Sequence, residues 1–153
     1  MTRQNLFSDV WDGEDEETGS RHRIFWRPDD ARMGATLYEF PPGTPKDHLH
    51  MHYGREEMFF VLSGRPTFRN QHGEEQLAPG DFVFCPEGRA GLHAFDNPAD
   101  EPARILAISA GSYPDVVACP ERGYAWVATQ NPDHERGGDP DRGIVARFEI
   151  PIE

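Results

Sequence analysis

The stretch "DHLHMHYGREEM", residues 47–58, sets His48, His50 and His52 at alternate positions and follows them with Glu56 and Glu57. On an extended strand, residues two apart project from one face, about 6–7 Å apart at the backbone, so the rings can converge on a single ion. One histidine in such a place reads as a polar strand face in water. Three in register beside carboxylates read instead as ligands for a metal that accepts nitrogen and oxygen donors. Two registers stay open at this point: His50 and His52 with Glu57, or His48 and His50 with Glu56, each keeping the histidine pair on one face.

The next segment, "EMFFVLSG" at 57–64, places Glu57, Phe59 and Val61 on one face and Met58, Phe60 and Leu62 on the other. A strand apolar on both faces is buried on both sides, with one face lining a barrel and the other meeting a second sheet, an arm or another subunit. A homodimer is the economical expectation. Outward in both directions the chain reads as short β-rich segments: "RIFW", "GATLYEF", "PTFRN", "EEQLA", "DFVFC", "GLHAF", "ARILAIS", "YAWVAT" and "IVARFEI". None holds a helical period over ten residues, so an all-β sandwich or barrel is predicted. In "NQHGEE", Gly73 marks a hairpin tip and makes His72 a turn residue rather than a ligand. "APGD" and "CPEG" are further reversals. Residues 129–143, "TQNPDHERGGDPDRG", are too polar to pack and are expected to form a mobile loop that carries His134.

At 153 residues the chain fits one domain, and ten Phe, four Tyr and three Trp supply large core side chains. Residues 1–20, with the acidic run "DGEDEETGS", are expected to be a mobile N-terminal arm, and residues 21–153 the single folded domain. A formal charge of −12 excludes nucleic acid and an anionic membrane surface as expected partners. Cys85 and Cys119 form neither a disulfide framework nor a paired-cysteine metal motif. No signal-peptide core and no apolar run of the roughly 20 residues needed to span a bilayer is present, so a soluble, cytoplasmic protein is expected.

Residues 34–110 resemble the cupins, a family of small double-stranded β-helix (jelly-roll) barrels. The first cupin motif is matched by Gly43, His50, His52, Glu57 and Gly64, with six residues rather than five after Gly43. The second is matched by Gly80, Pro86, Gly88, His93 and Asn97, with four residues rather than two between Gly88 and His93. The resemblance implies that His50, His52, Glu57 and His93 hold one metal inside the barrel. Three imidazoles and a carboxylate suit Fe, Mn, Ni, Co, Cu or Zn, and the lack of thiolates argues against a structural zinc site. The Glu57 register is preferred because six residues separate it from Gly64; His48 then sits at the pocket mouth and Glu56 on the surface.

Candidate catalytic residues are His48, Tyr53 and Arg89. The first two are potential proton donors beside the ligands, and Arg89 is a possible anchor for a substrate carboxylate that otherwise reads as a solvated surface arginine. Phe40, Phe59, Phe82, Phe95 and Trp126 are candidates to line the cavity, although aromatics in a barrel are also ordinary core. Cys85 reads as a small buried hydrophobe. Cupins include oxygenases, isomerases, epimerases, decarboxylases and lyases as well as binding and storage proteins. The expected function is therefore a mononuclear-metal enzyme, of oxygenase or lyase/isomerase type, acting on a small polar organic molecule. The alternative is a non-catalytic small-ligand-binding or sensing cupin.

Overall fold

Among the described residues the alternating segments form strands, and nothing longer than one turn of helix interrupts them. A computed structural model describes residues 3–16, 18–25, 31–111, 113–129 and 143–152. In chain order the strands are β1 (Gly13–Glu14), β2 (Arg21–Ile24), β3 (Met33–Phe40), β4 (Met51–His52), β5 (Arg55–Ser63), β6 (Thr67–Asn70) and β7 (Gly73–Gln76). There follow β8 (Phe82–Cys85), β9 (His93–Asp96), β10 (Ala103–Gly111), β11 (Asp115–Cys119), β12 (Tyr124–Ala128) and β13 (Ile144–Glu149). Two 3-10 turns, Gly88–Gly91 and Pro120–Arg122, complete the described elements.

One wall of the barrel is a six-stranded antiparallel sheet in the order β1-β2-β3-β10-β5-β8. The facing wall consists of two smaller sheets, β13-β12-β11-β4 and β7-β6-β9. Isolated bridges join these at His50↔His93 and Thr44↔Asn97, so two of the predicted metal ligands stitch the second wall together. Asn97 is fully buried, and its Nδ2 donates to the carbonyls of Phe40, Pro41 and Glu101 at 3.0, 3.1 and 2.8 Å. An amide with two hydrogens serves three carbonyls there and ties the end of β9 to the end of β3.

Between the walls lies a core of Phe59, Val61, Phe68, Leu77, Cys85, Phe95, Ile105 and Ala107. Phe95 packs at 4.7 Å from Phe59 and 5.3 Å from Phe68, in the tilted ring geometry that aromatic quadrupoles favour. A smaller cluster of Met51, Leu92, Ala118 and Ala125 closes the other end. The barrel is the all-β cupin architecture expected from the sequence. No helix among the described residues is long and apolar enough to cross a membrane.

The hairpin at Gly73 forms as expected, with Asn70 opposite Gly73 and the His72 amide bonded to Asn70 Oδ1 at 2.7 Å. Phe82 corrects the predicted lining. It pairs with Phe60 rather than with an inward residue, stacks on it at 5.2 Å, and is 55% exposed on the outer face. Residues 130–142 of the expected mobile loop, with His134, lie outside the described residues; at its base Thr129 N donates to Gly143 O at 2.7 Å.

The described residues among the first twenty make defined contacts. β1 pairs with β2, and the Asp12 carboxylate accepts from the Ile24 amide at 2.8 Å. Buried Arg23 donates to the Asn5 carbonyl at 2.8 Å, and the Trp11 ring lies 4.5 Å from the Arg21 guanidinium and 5.6 Å from that of Arg104.

Candidate metal centre

His52 sits on β4 in the register Val117↔His52, while Glu57 enters from the opposite wall on β5, followed on the same face by Phe59. His50 and His93 exchange backbone hydrogen bonds of 3.0 and 2.9 Å, which brings their ring centroids to 4.4 Å. One ligand atom from each of His50, His52 and Glu57 lies within 4.8 Å of the other two. Glu57 Oε2 is 3.5 Å from His52 Nε2 and 3.3 Å from His93 Nε2.

The two-residue insertion before His93 is absorbed by the 3-10 turn Gly88–Gly91. Gly91 is required for space, since a Cβ there would lie 1.8 Å from the Pro86 carbonyl oxygen. That close approach delivers the Gly91 carbonyl to His93 Nδ1 at 2.7 Å.

The donor set fits a cation. His52 Nδ1 lies 2.7 Å from Asp115 Oδ2, and His93 Nδ1 lies 2.7 Å from a carbonyl; neither partner has a proton to give. Both rings therefore carry hydrogen on Nδ1 and turn Nε2 toward Glu57. Two nitrogen lone pairs beside a carboxylate repel one another unless a positive charge lies among them, supplied by protons or by a metal ion.

Without a metal, burial alone would lower His93, but contacts with Cys85 and Glu57 raise it to about 10. Burial would raise Glu57, yet the His93 hydrogen bond and the surrounding imidazoles hold it at about 2. Burial, reinforced by His93 and His52, drives His50 down to about 3, leaving it a neutral donor. A metal ion held by these residues would compete with the proton shared by His93 and Glu57.

A cavity of ≈ 450 Å³ opens onto this cluster. His50, Glu57 and His93, but not His52, line it with Phe40, Phe59 and Phe95, and its charged lining mixes Arg21, Lys46, His48 and Arg122 with Asp15 and Asp47. His48 is half exposed, with Nδ1 3.7 Å from Glu121 Oε2; Glu121 also accepts from the Leu49 amide at 2.9 Å and so anchors the loop before β4. Tyr53 and Arg89 are exposed and are absent from the residues lining this cavity, as is Trp126. Glu56 is exposed, facing away from Glu57.

Sequence reasoning missed Lys46 and Arg122 on the lining, and with them Tyr38, Arg21 and Asp115. Tyr38, on the same face of β3 as Phe40, places a phenol in the lining, a position that the alternation of "GATLYEF" encodes. Arg21 reaches the cavity from the stretch next to the acidic leader. Asp115, fully buried against His52, lies 63 residues away in the chain, and no local pattern marks it.

Residues 36–109 match a family described as the cupin domain. The oxalate-binding protein of Thermotoga maritima is 28% identical over 78 residues, covering 51% of this chain and 61% of that protein. Among solved structures, a putative sugar phosphate isomerase from Acidithiobacillus ferrooxidans is 31% identical with a TM-score of 0.58, covering 63% of this chain and 62% of that one. A cupin-superfamily sugar phosphate isomerase from Silicibacter pomeroyi shares the fold at a TM-score of 0.63 and 21% identity, over 80% of this chain and 73% of that one. The chain spans about three fifths of the length of the first two relatives.

Proposed function

Because residues 36–109 belong to the cupin superfamily, we propose that the chain is a mononuclear-metal enzyme acting on a small, polar, anionic organic molecule. His50, His52, Glu57 and His93 hold one divalent transition ion, drawn from Fe, Mn, Ni, Co, Cu and Zn. When bound, the ion supplies Lewis-acid polarisation of a substrate oxygen or, if redox-active, oxygen chemistry.

The observation that carries this reading is the ≈ 450 Å³ cavity, lined by His50, Glu57 and His93 of the cluster. That size lies within the usual range for small-molecule sites. Arg21, Lys46 and Arg122 share the lining with Asp15 and Asp47, Lys46 is paired with Glu74, and Arg21 and Arg104 both contact Glu39, so the anionic substrate class is supported by the relatives named for oxalate and sugar phosphates and by individual cationic anchors rather than by a net charge. Arg21 and Arg122 are the guanidinium groups available to contact an anionic group, and Phe40, Phe59 and Phe95 supply apolar lining. His48 and Tyr38 are the proton carriers within the lining.

Residues 1–20 act as an arm on the 21–153 domain. Cytoplasmic residence is supported by two buried cysteines that form no disulfide. A second copy would sit on the outer face of the six-stranded sheet, where Phe82 and Phe84 are 55% and 49% exposed. The second functional reading is a non-catalytic binder of small anions, favoured by the relative named as an oxalate-binding protein.

Cobalt-loaded protein tests these readings, because its visible spectrum changes when a ligand enters the coordination sphere. Titration with oxalate and with a pentose phosphate, each followed by product analysis, is expected to give a spectral change and turnover of one compound class. A spectral change without product selects the binding module. No response to any anion contradicts the substrate class.

A further inference from the structure

Asp115 opens β11 with no solvent exposure, and its carboxylate contacts the candidate ligand His52, the Arg55 guanidinium and a backbone amide. Oδ2 lies 2.7 Å from His52 Nδ1 and 3.3 Å from Arg55 Nε, while Oδ1 accepts from the Gly54 amide at 3.0 Å. Arg55 in turn donates to the Tyr113 hydroxyl at 2.7 Å and lies 5.4 Å from the centre of that ring. The carboxylate is thus surrounded by an imidazole, a guanidinium and a backbone amide, so each of its oxygens has a partner in the interior.

We propose that Asp115 is the positioning residue for His52, fixing its ring orientation and its Nδ1–H tautomer so that Nε2 is presented toward Glu57, with Arg55 and Tyr113 holding the carboxylate in place. The inference rests on the reading of His52 as a metal ligand. Histidine ligands need their second nitrogen committed, because a ring free to rotate or to change tautomer spends part of its time with the wrong atom facing the ion. His93 meets this need with the Gly91 carbonyl at 2.7 Å, a neutral acceptor. His52 meets it with a carboxylate held by further partners, a charged acceptor that commits Nδ1 as the donor. Arg55 offsets that charge and keeps the carboxylate from being stranded in the interior. The His52–Asp115 pair thus orients the ligand and does more than join β4 to β11.

Two measurements on the full-length protein test this. Zn²⁺ affinity is compared by chelator competition in the wild type, Asp115→Asn, Asp115→Ala and His52→Ala, and the His52 tautomer is read from long-range ¹H–¹⁵N spectra of the metal-free wild type. The expected result is a loss of affinity of about 10- to 100-fold in both Asp115 variants, a larger loss in His52→Ala, and a wild-type His52 protonated on Nδ1. If the Asp115 variants bind within about twofold of wild type while His52→Ala has lost the ion, this inference is overturned and the metal centre stands. If His52→Ala binds as tightly as the wild type, both fail. Should the Asp115 variants not fold, the wild-type spectrum decides alone, since a neutral His52 carrying its proton on Nε2 contradicts the proposal.

Discussion

The two faces of β5 are written in the same nine residues and do opposite things. Inward, Glu57, Phe59 and Val61 join the cluster and the core, where Phe59 and Val61 are 5% and 3% exposed. Outward, Met58 and Phe60 form rows with Ile108 and Leu106 of β10 and with Phe84 and Phe82 of the edge strand β8. Alternation alone marks both faces as apolar and is silent on what covers each. The barrel itself encloses the inner face, whereas the outer face ends on two exposed phenylalanines. Substitutions on the inner face should therefore disturb metal and fold together, and those on the outer face should touch neither.

The largest effect is expected from Glu57→Gln, which keeps the shape and removes the charge facing His52 and His93 at 3.5 and 3.3 Å. Its metal affinity, measured by competition with a chelator, should fall by more than the roughly 10- to 100-fold typical of losing an outer partner. Next comes Gly91→Ala, whose Cβ would lie 1.8 Å from the Pro86 oxygen. Thermal melts should show a loss of about 1–3 kcal/mol, or about 2–12 °C in Tm, with weakened metal binding because the carbonyl that orients His93 moves.

On the outer face, Phe82→Ser with Phe84→Ser should leave metal affinity unchanged and alter stability by about 1 kcal/mol or less, while shifting the sedimentation profile toward monomer. Retention of a dimer by that variant would remove the outer face as the seat of the second copy. The smallest effect concerns Glu39. Burial would raise its carboxyl, but bonds from Arg21 and Arg104 hold it below the ordinary 4.5. On acidification the unfolded chain takes up this proton first, so the contribution is complete above that value and is lost as pH falls below it. Melts of metal-free protein between neutral pH and about pH 3 should show a slightly flatter acid limb for Glu39→Gln.

Much of the barrel was legible because strand period and turn chemistry are local. His50 and His52 share a face by simple alternation, and Glu57 follows near the start of the next long strand, so three donors sit within residues 50–57. Asn97 was legible as a motif position, though its work of binding three carbonyls was not. Phe82 was misplaced because a strand's composition does not say which of its faces points inward; the pairing of Phe82 with Phe60 decides that. Asp115 and Arg21 escaped for the opposite reason. Each is an ordinary charged residue in its own neighbourhood and acquires meaning only when the fold brings it to His52 or to the pocket.

The central claim is that the histidine and glutamate cluster exists to hold one transition-metal ion. Elemental analysis of untagged protein purified without added metal, run beside His52→Ala and His93→Ala, tests it most directly. The account predicts near-stoichiometric metal in the wild type and its loss from both variants. A wild-type protein that arrives empty and also refuses added Fe, Mn, Ni, Co, Cu or Zn would contradict it.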